Sequence, residues 1–187
     1  MKKANIDLFV EIEVKNKKGK TVYKKRFRSK SWVKNFVEIL RSQFANEDAT
    51  VKATDGNDYI LSVDYIFVKA SEGEDTFGIQ VGSGTTSPTP NDYILDNKIN
   101  HGTGAGELRY GNVTVETVSV TDTNVSQFRV IRVFTNDSGG SVDVNEIGLV
   151  ASFSGYYVLI ARDVLASTVT LADGETLTVR YIVKVTT

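Results

Sequence analysis

Several residue types that carry protein chemistry are scarce in this chain. Its 187 residues include no cysteine, one histidine and two prolines. Without cysteine the chain can form no disulfide framework and no thiolate metal site, and it has no cysteine nucleophile. This absence weakly favours assembly in a reducing compartment. Because His101 is the only histidine and no G-x-S-x-G motif occurs, we interpret it as a loop residue with local hydrogen bonds.

Long hydrophobic runs are also missing. No stretch of 18 apolar residues occurs, so the sequence predicts no transmembrane helix. In the N-terminal segment, residues 1–14, Asp7, Glu11 and Glu13 interrupt the run that would have to be apolar in a signal peptide. We therefore interpret this segment as the first strand of a soluble protein. With 41% hydrophobic and 24% charged residues, the composition is typical of a folded domain with a sizeable core.

The net charge of −1 conceals an asymmetry along the chain. Residues 1–41 hold 13 Lys and Arg against 4 Asp and Glu, whereas residues 42–187 hold 9 against 19. The basic residues alternate with apolar ones, which is typical of a solvated strand face or of a surface that meets the acidic part of a neighbouring subunit. Nucleic-acid binding is not expected, because base-stacking aromatics are not interleaved on that face.

Short alternations of apolar and polar residues predict ten or eleven β-strands. The clearest is 177–185, in which Leu177, Val179 and Tyr181 alternate with Thr178 and Arg180. The predicted strands are 6–14, 21–27, 51–53, 59–63, 64–70, 77–81, 107–120, 126–135, 147–153, 156–165 and 177–185.

One helix is predicted, over residues 31–44, after the N-cap hydroxyls of Ser29 and Ser31. Its apolar face consists of Trp32, Phe36, Ile39, Leu40 and Phe44. Many strands and one helix predict an all-β fold, a β-sandwich of jelly-roll or Greek-key type with the helix packed on the sheet. We expect residues 1–187 to form a single domain.

A long loop, residues 82–106, separates a helix-containing N-terminal portion from a β-rich C-terminal portion. It holds both prolines and five of the fifteen glycines. A loop of this length inside a compact domain is more often functional than accidental. Gly82-Ser-Gly84 is not followed by the lysine of a phosphate-binding loop, and Gly102-Thr-Gly104 lacks the dinucleotide-binding spacing.

No catalytic, cofactor-binding or metal-binding residue is assigned from the sequence. Glu72, Glu74 and Asp75 could gather a calcium ion, but the spacing of an EF-hand is absent. A pair of carboxylates for glycoside hydrolysis cannot be chosen among 23 acidic residues. We therefore expect a protein that is not an enzyme.

The segment 78–95, GIQVGSGTTSPTPNDYIL, and the later segments 133–136, 145–150, 159–163 and 173–179 carry a family resemblance. They resemble small structural proteins of tailed bacteriophages and related viruses, in which a V-G-[ST]-G-T-T-x-P-T loop precedes a β-rich C-terminal half. The resemblance covers residues 77–187 and, more loosely, the predicted helix. It implies a virion component, associated with the capsid, a fibre or the tail, that is assembled in the host cytoplasm from copies of itself and other virion proteins.

The long loop is the part of the chain best suited to reach a neighbouring subunit. We predict that it makes or adapts an intersubunit contact through Gly82, Ser83, Gly84, Thr85, Thr86, Pro88, Pro90, Asp92 and Tyr93. The alternative is a glycan-binding β-sandwich module. Its candidate stacking residues are Tyr93, Tyr110, Tyr156 and Tyr157.

Overall fold

The structure is a computed structural model that describes residues 5–29, 32–45, 48–61, 66–123, 125–153 and 155–186, without the side chains of Asn5, Thr186 and residues 41–45. It confirms a mainly β fold with one helix and packed antiparallel sheets in a sandwich-like arrangement. The jelly-roll or Greek-key connectivity stays a prediction. The elements are β1 (Asn5–Lys15), β2 (Thr21–Arg28), α1 (Lys34–Ala45), β3 (Ala49–Lys52), β4 (Asp58–Leu61), β5 (Gly78–Gly82), β6 (Arg109–Tyr110), β7 (Thr114–Val115), β8 (Ser119–Asp122), β9 (Val125–Thr135), β10 (Val142–Phe153), β11 (Tyr156–Leu171) and β12 (Thr176–Thr186).

The large sheet has the strand order β2-β1-β12-β9-β6, and β7 and β8 also pair with β9. The small sheet has the order β11-β10-β5, while β3 and β4 form a separate hairpin. The strand predicted over 177–185 corresponds to β12. It lies in the middle of the large sheet, between β1 and β9. Leu177, Val179 and Tyr181 are buried, as their spacing predicts.

The core lies between the two sheets. Val10 and Ile12 of the large sheet belong to the same buried cluster as Ile79 and Ile147 of the small sheet. Each fully buried aliphatic side chain of this kind contributes about 1.5–3 kcal/mol relative to its exposed state. The two inner faces therefore hold the sandwich together.

The outer face of the large sheet accounts for much of the N-terminal basic charge. Lys24 of β2 pairs with Glu11 of β1 at 3.5 Å, and Arg28 pairs with Asp7. Across the other side of β1, Arg180 of β12 lies 3.2 Å from Glu11. The basic residues of β2 thus stand on a solvated face, next to an acidic strand of the same chain.

The helix α1 packs against the small sheet and the β3–β4 hairpin. Val33 N donates to Ile160 O at 3.3 Å, and Asn35 donates to the carbonyls of Lys52 and Leu159. Val33 and Asn35 are more deeply buried than the predicted apolar face, and the side chain of Phe44 lies outside the described part. Within the described residues, no helix is both long and apolar enough to cross a membrane.

Several predicted strands differ from the structure. Residues 107–120 form three short strands instead of one, because Val113 N bonds to Ala70 O and turns its side chain into the core. Of the predicted strand 64–70, residues 66–70 make only an isolated bridge between Phe67 and Ser152, and residues 64 and 65 lie outside the described residues. The predicted strand 156–165 extends to Leu171.

Candidate functional site

The long loop covers a buried ion pair between two neighbouring strands of the small sheet. Glu146 of β10 is completely buried, and Arg162 of β11 is 3% exposed. Arg162 Nε donates to Glu146 Oε2 at 2.8 Å. Two charges this far from water are stable only when further hydrogen bonds satisfy their remaining polar atoms. Those bonds come largely from the long loop.

The Glu146 carboxylate holds both limbs of the loop. Its Oε1 accepts from Gly84 N at 3.2 Å and from Asn97 N at 2.7 Å. Its Oε2 accepts from Asp96 N at 3.1 Å. Hydrogen bonds to an ionised acceptor are stronger than neutral ones. Glu146 thereby fixes the loop on both sides of its tip.

Arg162 binds the tip of the same loop. It donates to Asp92 Oδ2 at 2.8 Å and to Thr86 O at 3.1 Å. Burial would raise the pKa of the Asp92 carboxyl, but hydrogen bonds from Thr89 and Arg162 outweigh it and hold that pKa below its usual value. Asp92 is therefore a stable anion beside the guanidinium.

Two glycines let the backbone approach the Glu146 carboxylate. A Cβ at Gly82 would lie 2.5 Å from Glu146 Oε1 and 2.6 Å from Asn97 O. A Cβ at Gly84 would lie 2.5 Å from both Glu146 Oε1 and the Asp96 Cβ. Real Cβ atoms do not come this close to other heavy atoms. The V-G-S-G sequence is therefore explained by close approach to a buried carboxylate.

Gly84→Ala should lower the free energy of unfolding by about 1–3 kcal/mol, because the added methyl group forces the loop away from Glu146. Urea denaturation would measure the loss. The matched control is Gly140→Ala, where the new Cβ would meet nothing within 4 Å, and it should stay within about 1 kcal/mol of wild type. Equal losses in the two variants would contradict the close-approach argument.

The nine residues predicted for an intersubunit contact divide by exposure. Gly82 and Gly84 are buried, and Ser83, Pro88, Asp92 and Tyr93 are half-buried, whereas Thr85, Thr86 and Pro90 are exposed. The intersubunit contact itself stays a prediction, and the exposed tip of the loop is the part that is free to make it.

A polar cleft of about 730 Å³ lies between α1, the β3–β4 hairpin and residues 90–93. Tyr93 lines it, and Lys52 Nζ lies 5.0 Å from the centre of the Tyr93 ring. Among the other glycan candidates, Tyr110 is wrong because it is completely buried and donates to Ile99 O at 2.6 Å. Tyr156 stacks on Tyr59 with ring centres 3.8 Å apart. Tyr157 is half-buried and lines a second cavity, of about 270 Å³. Tyr93 and Tyr157 are therefore the candidates that line a cavity.

His101 makes local hydrogen bonds, as predicted. Its Nδ1 accepts from Tyr110 N at 3.0 Å, and its backbone N donates to Asp75 Oδ2 at 2.7 Å. Asp75 also pairs with Lys98 at 3.0 Å, and Glu72 pairs with Arg109 at 3.6 Å. No group of three or more His, Cys, Asp or Glu that could hold a metal ion occurs in the described part of the chain.

A second buried charge, Arg132 of β9, was missed by the sequence analysis. It is completely buried and donates to five backbone carbonyls of another part of the fold, those of Ser71, Glu74, Phe77, Ile79 and Gly111. Its guanidinium carbon lies 4.6 Å from the centre of the Tyr110 ring. Burial lowers the pKa of Arg132 to about 10. Arg132 therefore joins the large sheet to the small sheet and to residues 71–77.

Strand periodicity holds a signal for one of the two buried charges. Arg132 has the same parity as the buried Val130 and Phe134 of β9. A charged residue in phase with the inward-facing positions of a strand indicates a buried charge, which must pair with another charge or hydrogen-bond to the backbone. On β10 a β-bulge between Val144 and Glu146 reverses the facing, so Ile147 and Leu149 continue the core face of Val142 and Val144, and Glu146 faces the loop.

Comparisons with protein-family models, with curated proteins and with solved structures found no match to this chain.

Proposed function

We propose that this protein is a non-enzymatic building block of a phage-like virion, associated with the capsid, a fibre or the tail, and that it acts by homo-oligomeric assembly. The resemblance of residues 78–95 to phage structural proteins motivates the proposal. The observation that carries it is the anchoring of this loop: Glu146 and Arg162 hold the backbone at Gly84, Thr86 and Asn97.

An anchored loop suits an assembly contact for a physical reason. Association orders side chains and loops at an interface, and a loop that is already ordered avoids much of that cost. Thr85, Thr86 and Pro90 are exposed while the backbone beside them is bonded to buried charges. The tip is thus presented to a neighbouring molecule in a fixed conformation.

The test is the molar mass of the purified protein, measured by light scattering across a concentration series. We expect the wild type to form an oligomer of defined size. Thr85→Arg combined with Ser87→Arg places two bulky cations on the exposed tip, and we expect it to weaken association at least about tenfold, since bulk and like charges oppose the contact between copies.

The matched control is Thr103→Arg, an exposed position of the same loop outside the predicted contact. It should assemble as the wild type does, and thermal unfolding should show that all variants fold. Point substitutions are preferred to deletion of residues 83–90, because the deletion would also remove the bonds of Gly84 and Thr86 to the buried pair. A wild-type protein that stays monomeric at every concentration would contradict the proposal.

Glycan binding is the second candidate function, and the cleft beside Tyr93 is the observation that favours it. Carbohydrate sites combine an aromatic ring with amide and carboxylate groups, and this cleft holds Asn91 and Asp92 next to Tyr93. Against it, the Lys52 ammonium already lies over the Tyr93 ring. Binding of the wild-type protein to a glycan array would favour this alternative over assembly.

A further inference from the structure

The large sheet ends in two edges of opposite chemical character. Among the described residues, β2 pairs with β1 on one side, and on the other side the short strands β6, β7 and β8 pair in turn with β9. A free strand edge offers unpaired N–H and C=O groups to any other strand, and natural sheets usually guard such edges with charges, prolines or bulges. How each edge is guarded therefore indicates what it is meant to meet.

The β2 edge is strongly basic. From Lys15 to Arg28 the chain holds eight Lys and Arg and no Asp or Glu. Lys24 and Arg28 are partly neutralised by Glu11 and Asp7 of β1. Exposed cations nevertheless continue along the turn before β2, at Lys18 and Lys20. The same edge exposes one large apolar side chain, that of Val22, which is 53% exposed.

The β8 edge, residues 116–122, holds no cation. All four residues of β8 are exposed, and Val118 and Val120 are 68% and 76% exposed. No Lys, Arg or Pro occurs between Arg109 and Arg129, and Glu116 and Asp122 are the acidic residues of this stretch. The stretch is rich in Val and Thr, residues with high β propensity. β8 is short and carries a β-bulge between Val120 and Asp122, yet its backbone groups on the side away from β9 still offer a template to a strand of another chain.

We propose that β2 of one copy of this protein adds to the β8 edge of the next copy, so that the large sheet continues from subunit to subunit. This inference rests on the proposed assembly function. Charge complementarity favours this partner, because residues 15–28 carry only cations, whereas the charges of residues 116–122 are Asp122 and Glu116, of which Glu116 is paired with Arg129. Pairing β2 with β2 would instead bring like charges together, which destabilises a sheet.

The arrangement has a definite symmetry. The two surfaces in contact are different patches of the same molecule, so the interface is heterologous and generates a ring if the rotation closes or a filament if it does not. Backbone hydrogen bonds would supply part of the affinity, and Val22, Val118 and Val120 would lose their exposed apolar surface.

Two variants each block one edge. Lys20→Glu with Val22→Glu places anions on the β2 edge, at exposed positions. Val118→Lys with Val120→Lys places cations on the β8 edge. Each variant alone should associate at least about tenfold more weakly than the wild type in light scattering. An equimolar mixture should form a 1:1 complex, visible by native mass spectrometry, because each variant retains the edge that the other lacks.

The matched control is Ile60→Lys, which changes an apolar β4 side chain that is 71% exposed and lies on neither edge of the large sheet. It should assemble as the wild type does. If both double variants assemble like the wild type, the edge contact is wrong while the assembly function stands. If only the β8 variant fails to assemble and the mixture gives no 1:1 complex, β8 pairs with itself and the proposal is overturned. A monomeric wild type would overturn both proposals.

Discussion

Glu146→Ala should lower the free energy of unfolding by about 3–5 kcal/mol, the usual loss when one partner of a buried ion pair is removed. The variant leaves the Arg162 guanidinium, 3% exposed, without its carboxylate partner on β10. It also leaves the N–H groups of Gly84, Asp96 and Asn97 without their acceptor. Buried donors that lose an acceptor retain their full desolvation penalty.

Urea denaturation would measure this loss, and two further variants make it interpretable. Glu146→Gln keeps an acceptor oxygen for the loop, so it should be destabilised less than Glu146→Ala and should fold if the alanine variant does not. In Glu146→Gln, amide hydrogen exchange should be faster at Gly84, Asp96 and Asn97. Lys17→Ala removes an exposed pair with Asp173 and should change stability by no more than about 1 kcal/mol. A loss in Glu146→Ala as small as that of Lys17→Ala would refute the anchoring role.

Arg132→Met should lower the free energy of unfolding by about 3–5 kcal/mol, although methionine preserves much of the side-chain volume. The five carbonyls that Arg132 caps would lose their donor inside the fold, and each unsatisfied buried group costs about 1–3 kcal/mol before relaxation. Arg132→Lys keeps the charge but lacks the planar fork of donors, so it should also be strongly destabilised.

The matched control for Arg132 is Arg129→Met on the same strand. Arg129 points outward, its side chain is 43% exposed, and it pairs with Glu116. Its loss should not exceed about 1 kcal/mol, as for other surface pairs. Chemical denaturation followed by circular dichroism would compare the two. Similar stabilities for Arg132→Met and Arg129→Met would show that the carbonyl contacts do not hold the two sheets together.

The sequence predicted the regular parts of the fold well, because strand alternation is a local property. The alternation in 177–185 was sufficient to predict β12 and its buried face. The break in 107–120 could not be predicted in this way, since it depends on Ala70, a residue distant in sequence that captures Val113 N. Periodicity describes each strand but not the competing acceptors around it.

The loop was recognised by its composition, but its anchoring was not. Glu146 and Gly84 are 62 residues apart in sequence, and no local pattern connects them. The prediction placed Gly82 and Gly84 in an intersubunit contact, whereas both glycines are needed within the chain itself for close approach to a buried carboxylate. Strand parity gave no sign of the burial of Glu146 either, because the β-bulge between Val144 and Glu146 turns Glu146 to the face opposite Val142 and Val144.

The position of β12 in the middle of the large sheet has a consequence for how the protein folds. β12 pairs with β1, and the cross-strand contact between Glu11 and Arg180 joins residues 169 positions apart. Such distant pairings make folding slow, on the order of milliseconds to seconds in all-β domains, whereas the β10–β11 hairpin needs only local chain closure. Until β12 docks, β1 and β9 present open edges to each other and to other chains. Open strand edges of this kind in a partly folded chain favour mispairing between molecules, and β12 removes both of them when it docks.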